Sequence, residues 1–202
     1  MTDQYNYNGH GVERGNWMEY VQPIREKTQI EDMKDYIKAN KDYKYYVMFM
    51  LGIYSALRIG DILQLKVRDV RKNNKIVDVV QLKTDKTNKI ALFPINKQIK
   101  RMLKDYCETK EDYEYLIQNN NTHKPISRVQ AYRVIRECAE SVGMSHIGTH
   151  SLRKTFGYHY YTKTKDIGTL QEILGHSNQS TTMRYIGVTQ ETVLEAMKKF
   201  EY

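Results

Sequence analysis

Apolar residues recur at spacings of three and four along most of the chain, a pattern that predicts amphipathic helices. Ile30, Met33 and Ile37 share one face of a first helix, which we expect to begin at a capping box of Thr28 and Glu31 and to end near residue 39. Further helices are predicted at residues 43–57, 60–65, 96–106, 110–118, 127–143, 150–163 and 169–174, before Tyr185, and from Thr189 to Phe200.

The pattern changes between residues 75 and 95, where β-branched and other apolar residues form two short runs. The first run holds Ile76, Val77, Val79, Val80 and Leu82, and the second holds Ile90, Leu92, Phe93 and Ile95. Polar and basic residues separate them, which predicts an antiparallel hairpin with a turn longer than two residues. The fold class is therefore mixed, mainly α with a small antiparallel β-sheet.

The length of 202 residues favours one domain or two very small ones. Residues 1–22 are rich in Tyr, Asn and Gly, and we expect an N-terminal arm that orders only against a partner. Residues 23–202 are expected to form the folded domain. No apolar run approaches the ~18 residues of a membrane span, and the N-terminus lacks the apolar segment of a secretory signal. We therefore expect a cytoplasmic protein without a membrane partner.

The chain carries a net charge of +8 and has a pI of about 9.2. This balance favours a polyanionic partner such as nucleic acid, or an acidic membrane surface. Cys107 and Cys138 lack metal-ligand spacing and are expected to be buried free thiols. His146 and His150 are four residues apart, but Gly148 interrupts any helix between them, so no metal site is expected.

Two arginines and one histidine are candidate phosphate ligands. Arg58 follows a buried helix, and its planar fork suits a phosphate or a carboxylate; the alternative is an internal ion pair with Asp61 or Asp69. His150 and Arg153 are three residues apart on one predicted helical face. Such a face offers one group for protons and one for charge, and the alternative is a solvated basic surface.

Three other candidates carry little information alone. Lys86 lies in the hairpin turn, where Lys83 and Lys89 are equally exposed alternatives. His176 follows a glycine that ends a helix, and its ring could simply pack against the core. Tyr185 is one of 17 tyrosines. Their joint order and spacing make them informative.

In that order and spacing, residues 25–200 resemble the catalytic domain of the tyrosine recombinase (phage integrase) family. The matching segments are residues 55–62 (SALRIGDI), residues 150–153 (HSLR, the H-x-L-R motif), residues 174–177 (LGHS), Tyr185, and residues 86–94 (KTNKIALFP), which resemble the family's lysine-bearing hairpin turn. The resemblance implies the tyrosine recombinase catalytic-domain fold.

The resemblance also implies a site-specific recombinase that works through a covalent 3′-phosphotyrosyl intermediate. The implied roles are Tyr185 as nucleophile, Arg58 and Arg153 as stabilisers of transition-state charge, His176 as hydrogen-bond donor, His150 as general base, Lys86 as general acid and Asp61 as a residue that orients a cation. No metal or other cofactor is implied. Three alternatives remain open: a non-catalytic DNA-binding accessory protein, a type IB topoisomerase-like enzyme and a metal-dependent nuclease.

The partners implied by the resemblance are double-stranded DNA, accessory DNA-binding proteins and further copies of the chain. A homotetramer on paired DNA sites is expected, with the last predicted helix docking on a neighbouring protomer; the alternative is packing on its own domain. Family members usually carry a separate helical domain before this one, and only about two dozen residues occupy that place here. We expect a minimal recombinase rather than a fragment, associated with the nucleoid in the cytoplasm.

Overall fold

The computed structural model describes residues 21–83, 90–188 and 197–198. The described part is mainly helical with two small antiparallel sheets, which confirms the predicted fold class. The elements are α1 (Lys27–Asn40), α2 (Tyr43–Ser55), α3 (Ile59–Gln64), α4 (Val67–Val70), β1 (Arg71–Lys72), β2 (Lys75–Ile76), β3 (Val79–Lys83), β4 (Ile90–Pro94), α5 (Lys97–Cys107), α6 (Arg128–Ser141), α7 (Thr149–Thr164), α8 (Ile167–Leu174) and α9 (Gln179–Ile186).

Helix α2 is the centre of the main core, and it is apolar on nearly every side. It contacts α1, α3, α5 and α6, and most extensively α7. Gly52 permits this closeness, because a Cβ atom added there would lie 2.8 Å from the Cβ of Leu152. The end of α2 and the first half of α7 are therefore held side by side.

Helices α8 and α9 also pack on α7, and they form a second, smaller core around Leu170, Leu174 and Ile186. Gly157 of α7 has no side chain to separate these elements, and a Cβ there would lie 2.7 Å from Cγ2 of Ile186. Helix α7 is thus the common wall between the two cores.

The capping box predicted for α1 is wrong. The helix begins at Lys27 with Glu26 as its N-cap, so Thr28 and Glu31 lie inside the helix. Glu31 instead accepts a hydrogen bond from the buried ammonium of Lys34 at 2.7 Å. Because the Glu31 carboxylate pairs with Lys34, it does not serve the capping box.

The helix predicted at residues 110–118 is also wrong, because this stretch is a loop bonded to another part of the chain. The backbone N–H of Leu116 donates to the carbonyl of Leu65 at 2.8 Å. The guanidinium of Arg71 donates to the Lys110 carbonyl at 2.6 Å and to the Asp112 carboxylate at 2.8 Å. These long-range partners satisfy polar groups that a helix would have paired internally.

The predicted hairpin is confirmed in β3 and β4, which pair antiparallel with Val79 opposite Pro94. Ile76 is not part of it. It lies in β2, which pairs with β1 around Asn73 and Asn74, both at positive φ (49° and 58°). An Asn-Asn pair tolerates this left-handed backbone, so the sequence did contain a signal for this additional turn.

Several expectations about the ends and the cysteines can be compared with the structure. The N-terminal arm up to residue 20 and most of the predicted helix from Thr189 to Phe200 lie outside the described residues. Cys107 and Cys138 are buried free thiols, as predicted, and burial raises the pKa of each to about 11. Within the described ranges, no helix is long and apolar enough to cross a membrane.

We expect Gly52→Ala to lower the free energy of unfolding by about 1–3 kcal/mol, because the added methyl group meets the Leu152 side chain. Urea unfolding measures this change. Gly168→Ala is the matched control, since its Cβ would meet only Oδ1 of Asp166 at 3.6 Å. Equal stability of the two variants would contradict the close α2–α7 packing.

Candidate active site

Arg58 is placed by a sharp turn between α2 and α3. Ala56 ends α2 with a left-handed backbone (φ 57°), and the Ser55 hydroxyl stabilises the turn. This hydroxyl donates to the Leu51 carbonyl at 2.6 Å and accepts from the Leu57 N–H at 3.2 Å. Arg58 then becomes the N-cap residue of α3 with its side chain half-buried.

Arg153 lies in the first half of α7 and is only 6% exposed. Its Nη2 atom donates to the carbonyl of Leu174, the last residue of α8, at 2.6 Å. That carbonyl has no partner within its own helix, so it is available for the guanidinium. Burial lowers the pKa of Arg153 while Asp61 opposes the shift, and arginine remains charged in proteins at any ordinary pH.

His176 enters the site because Gly175 ends α8 with a left-handed backbone (φ 62°). The backbone N–H of His176 donates to the carbonyl of Gln171 at 3.1 Å. Its ring Nδ1 lies 3.0 Å from Oγ1 of Thr182. Burial, followed by the positive charges of Arg153 and Arg58, lowers the pKa of His176, which makes the imidazole neutral at pH 7.

Tyr185 lies near the end of α9, against His176 and α7. The two rings meet edge to face with centroids 5.0 Å apart, and the ammonium of Lys154 lies 5.4 Å from the Tyr185 ring centroid. Burial raises the pKa of the Tyr185 phenol, and the charges of Arg153 and Arg58 act in the opposite direction. The phenol is therefore protonated at neutral pH and needs a base before it can attack.

A cleft of about 510 Å³ is lined by Arg58 and Arg153 but not by His176 or Tyr185. Arg58 and Asp61 line it from the α2–α3 side, Arg153 from α7, and strand β4 and the end of α8 form the other walls. Asp61 is 5% exposed, and its charge acts against the lowering of the Arg153 pKa. Asp69, the other acidic residue considered for Arg58, accepts the Lys66 N–H at 2.8 Å.

The remaining predicted site residues are His150 and Lys86. His150 lies in the first turn of α7, one helical turn before Arg153, and is half-buried. Lys86 and Lys89 lie outside the described residues, whereas Lys83 ends β3 and is exposed. Ile90, which follows the hairpin turn, lines the cleft, so the turn joins a strand that borders the site.

Sequence reasoning missed two residues that contact the site. Thr182 contacts the ring of His176, and this contact depends on where α9 begins rather than on any helical spacing. Lys154 follows Arg153 directly and reads as a solvated lysine, yet it is only 9% exposed, and its Nζ donates to the Val21 carbonyl at 2.8 Å. No local pattern distinguishes it from the other lysines of the chain.

Comparison with known proteins places the chain in a known family. Residues 25–192 match the model of the phage integrase family. A Bacillus subtilis (strain 168) protein described as a probable integrase/recombinase, YoeC, is 46% identical over 183 residues, which cover 91% of this chain and 98% of that protein. The tyrosine recombinase XerA of Pyrococcus horikoshii is 29% identical over 156 residues, which cover 75% of this chain but only 53% of XerA.

Solved structures show the same fold. The crystal structure of XerA recombinase superimposes with a TM-score of 0.71 at 21% identity, covering 90% of this chain and 67% of that one. XerH bound to a palindromic difH substrate, in a post-cleavage complex, gives a TM-score of 0.66 at 19% identity, covering 91% of this chain and 54% of XerH. The chain thus spans nearly all of YoeC and about half of XerH.

The lowered pKa of His176 predicts a pH-dependent stability. Near pH 6 the unfolded chain binds more protons at His176 than the folded chain does. The contribution of His176 to the free energy of unfolding is therefore fully present above the unfolded pKa of about 6.5, and it is lost as the pH falls through the lower folded pKa. Urea unfolding at about pH 7.5 and about pH 5.5 should show a larger acid loss for the wild type than for His176→Gln. Identical losses would contradict the shift.

Proposed function

The chain belongs to the phage integrase family, the tyrosine recombinases that break and rejoin DNA, and we propose that Tyr185 is the nucleophile of this reaction. The observation that carries the proposal is a partly buried phenol, Tyr185, on which the charges of two guanidinium groups, Arg153 and Arg58, act from one cleft. A phenol supplies an oxygen nucleophile, and the guanidinium groups supply charge for a phosphate. A purely DNA-binding protein does not require the first of these groups.

The arginines stabilise charge that develops on the phosphate. As Tyr185 Oη attacks the phosphorus, negative charge gathers on the non-bridging oxygens of the transition state. Arg153 is held in place by the Leu174 carbonyl before substrate arrives, so little reorganisation accompanies the reaction. Arg58 lines the same cleft, and His176 adds a hydrogen bond to a phosphate oxygen.

The proposed proton transfers balance. The Tyr185 Oη–phosphorus bond forms, the bond from phosphorus to the 5′-oxygen breaks, and a 3′-phosphotyrosyl link and a 5′-hydroxyl result. His150 takes the phenol proton as general base, which is necessary because burial raises the pKa of that phenol. Lys86 gives a proton to the leaving 5′-oxygen. Attack by a partner strand's 5′-hydroxyl reverses these steps, so neither ATP nor hydrolytic water is consumed.

We propose that no metal or other cofactor takes part. The cations that balance the phosphate charge in this scheme are Arg58 and Arg153, which do the electrostatic work that Mg²⁺ does in many phosphoryl-transfer enzymes. Asp61 holds the cation pair by its position in the same cleft.

We propose double-stranded DNA as the partner and a homo-oligomer, a tetramer on paired sites, as the assembly. The net charge of +8 suits a polyanion. XerH binds a palindromic substrate, and the two-fold symmetry of a palindrome suits two identical subunits. We further propose that residues 23–202 form the catalytic domain, that the segment from Thr189 to Phe200 docks on a neighbouring protomer, and that accessory DNA-binding proteins assist.

Tyr185→Phe should bind DNA with nearly normal affinity yet form no covalent adduct, because only the attacking oxygen is removed. A nicked suicide substrate, cleaved in single turnover and analysed on a denaturing gel, should give a protease-sensitive shifted band with the wild type alone. Tyr113→Phe is the control, since Tyr113 is 70% exposed on a loop, and it should form the adduct normally. An adduct from Tyr185→Phe would disprove the assignment.

Arg153→Ala should slow single-turnover cleavage by about 10²–10³-fold or more, since a preorganised charge at the phosphate is lost. Loss of the buried hydrogen bond also lowers stability, so the rate is measured at a temperature where circular dichroism shows the variant folded. Arg136→Ala is the control, because Arg136 pairs with Glu140 on an exposed face. A decrease of less than about tenfold relative to that control would contradict the proposed role.

A further inference from the structure

We propose that Thr182 is a positioning residue that holds His176 in the tautomer with its proton on Nε2, so that a neutral imidazole donates a hydrogen bond to the DNA phosphate. This inference rests on the proposed function and deepens it. Thr182 is completely buried, and its Oγ1 lies 3.0 Å from Nδ1 of His176. Two protons define this contact, one on the Thr182 hydroxyl and one on the His176 ring.

The Thr182 hydroxyl has two partners but only one proton. It lies 3.0 Å from His176 Nδ1 and 3.3 Å from the carbonyl oxygen of Asn178. If the proton points to Asn178, Nδ1 must carry the ring proton and Nε2 is bare. If it points to Nδ1, the ring proton lies on Nε2.

The geometry favours the second arrangement. The contact to Nδ1 is the shorter of the two, and 3.3 Å is long for a hydrogen bond from a hydroxyl to an oxygen. The Asn178 carbonyl already accepts the backbone N–H of Thr182, so it keeps a partner when the hydroxyl turns away.

Helix α9 determines that this hydroxyl reaches His176. The Asn178 side chain caps the helix by accepting the Thr181 N–H at 2.8 Å. The next residue, Thr182, is buried. Ile186, one turn further on, is also completely buried, so this face of the helix is held against the core. Thr181, which precedes Thr182, is exposed, so these two threonines form a matched pair for mutagenesis.

A neutral donor is what the surroundings of His176 require. Arg153 and Arg58 both act on this ring, and a third positive charge beside them would be repelled. A neutral imidazole with its proton on Nε2 still donates to a phosphate oxygen. The other tautomer would present a lone pair to an anion, so the position of one proton decides between attraction and repulsion.

The first experiment determines the tautomer without any recombination assay. Long-range proton–nitrogen correlation spectra of protein labelled with ¹⁵N-histidine separate the two neutral tautomers, and His176→Gln assigns the signal among the six histidines. We expect the Nε2 proton in the wild type and in Thr182→Ser, and a mixture of tautomers in Thr182→Val. A wild-type ring protonated on Nδ1, or an unchanged spectrum in Thr182→Val, would overturn the proposal.

The second experiment measures single-turnover cleavage and DNA affinity in the same variants. Thr182→Val should slow adduct formation by about tenfold, part of the loss from removing a transition-state donor, and leave DNA affinity within about twofold. Thr182→Ser should restore the rate, and Thr181→Val should match the wild type. Equal rates for the two valine variants would overturn the proposal.

These two arms also separate this inference from the proposed function. If the wild type forms no adduct at Tyr185 while the spectra show the expected tautomers, the proposed function fails and the positioning role of Thr182 stands. If adduct forms but the tautomer does not depend on Thr182, only this inference fails. The wild-type spectrum keeps the test decisive even if Thr182→Val folds poorly.

Discussion

The buried guanidinium of Arg153 is the constraint on which the site depends. A cation that is 6% exposed must be hydrogen-bonded, and the free carbonyl at the end of α8 provides that partner at 2.6 Å. This bond joins α7 to α8 and therefore fixes the direction in which the chain leaves Leu174. Gly175 then turns the backbone, and His176 follows beside the guanidinium. The hydrogen bond that satisfies the charge thus also positions the histidine.

The electrostatics of the cleft are those of an anion site. Burial, and after it the charges of Arg153 and Arg58, lowers the pKa of His176, and the same two charges act against the burial that raises the pKa of Tyr185. Asp61 offsets part of this positive charge from the α3 side. A phosphate between the two guanidinium groups would relieve their mutual repulsion, and its developing charge in the transition state would strengthen the same contacts.

Helix α7 gives these charges a rigid frame, because both cores pack against it. Gly52 allows α2 to approach on one side, and Gly157 allows α9 to approach on the other. Arg153 and the phenol therefore come from helices, α7 and α9, whose separation is set by close contact at a glycine. Long side chains on flexible loops would need to be ordered at each turnover, whereas these are ordered by packing.

The sequence by itself determined the helices with clear periodicity, the hairpin, and the motif residues Arg58, His150, Arg153, His176 and Tyr185, because order and spacing are properties of the chain. It could not reveal that residues 110–118 bond to the α3–α4 segment, since those partners compete with local signals only after folding. The contact between Thr182 and His176, and the burial of Lys154 beside Tyr185, were decided by tertiary structure alone. The physical reason is that hydrogen bonds and burial depend on distances across separate helices, and no spacing along one helix encodes those distances.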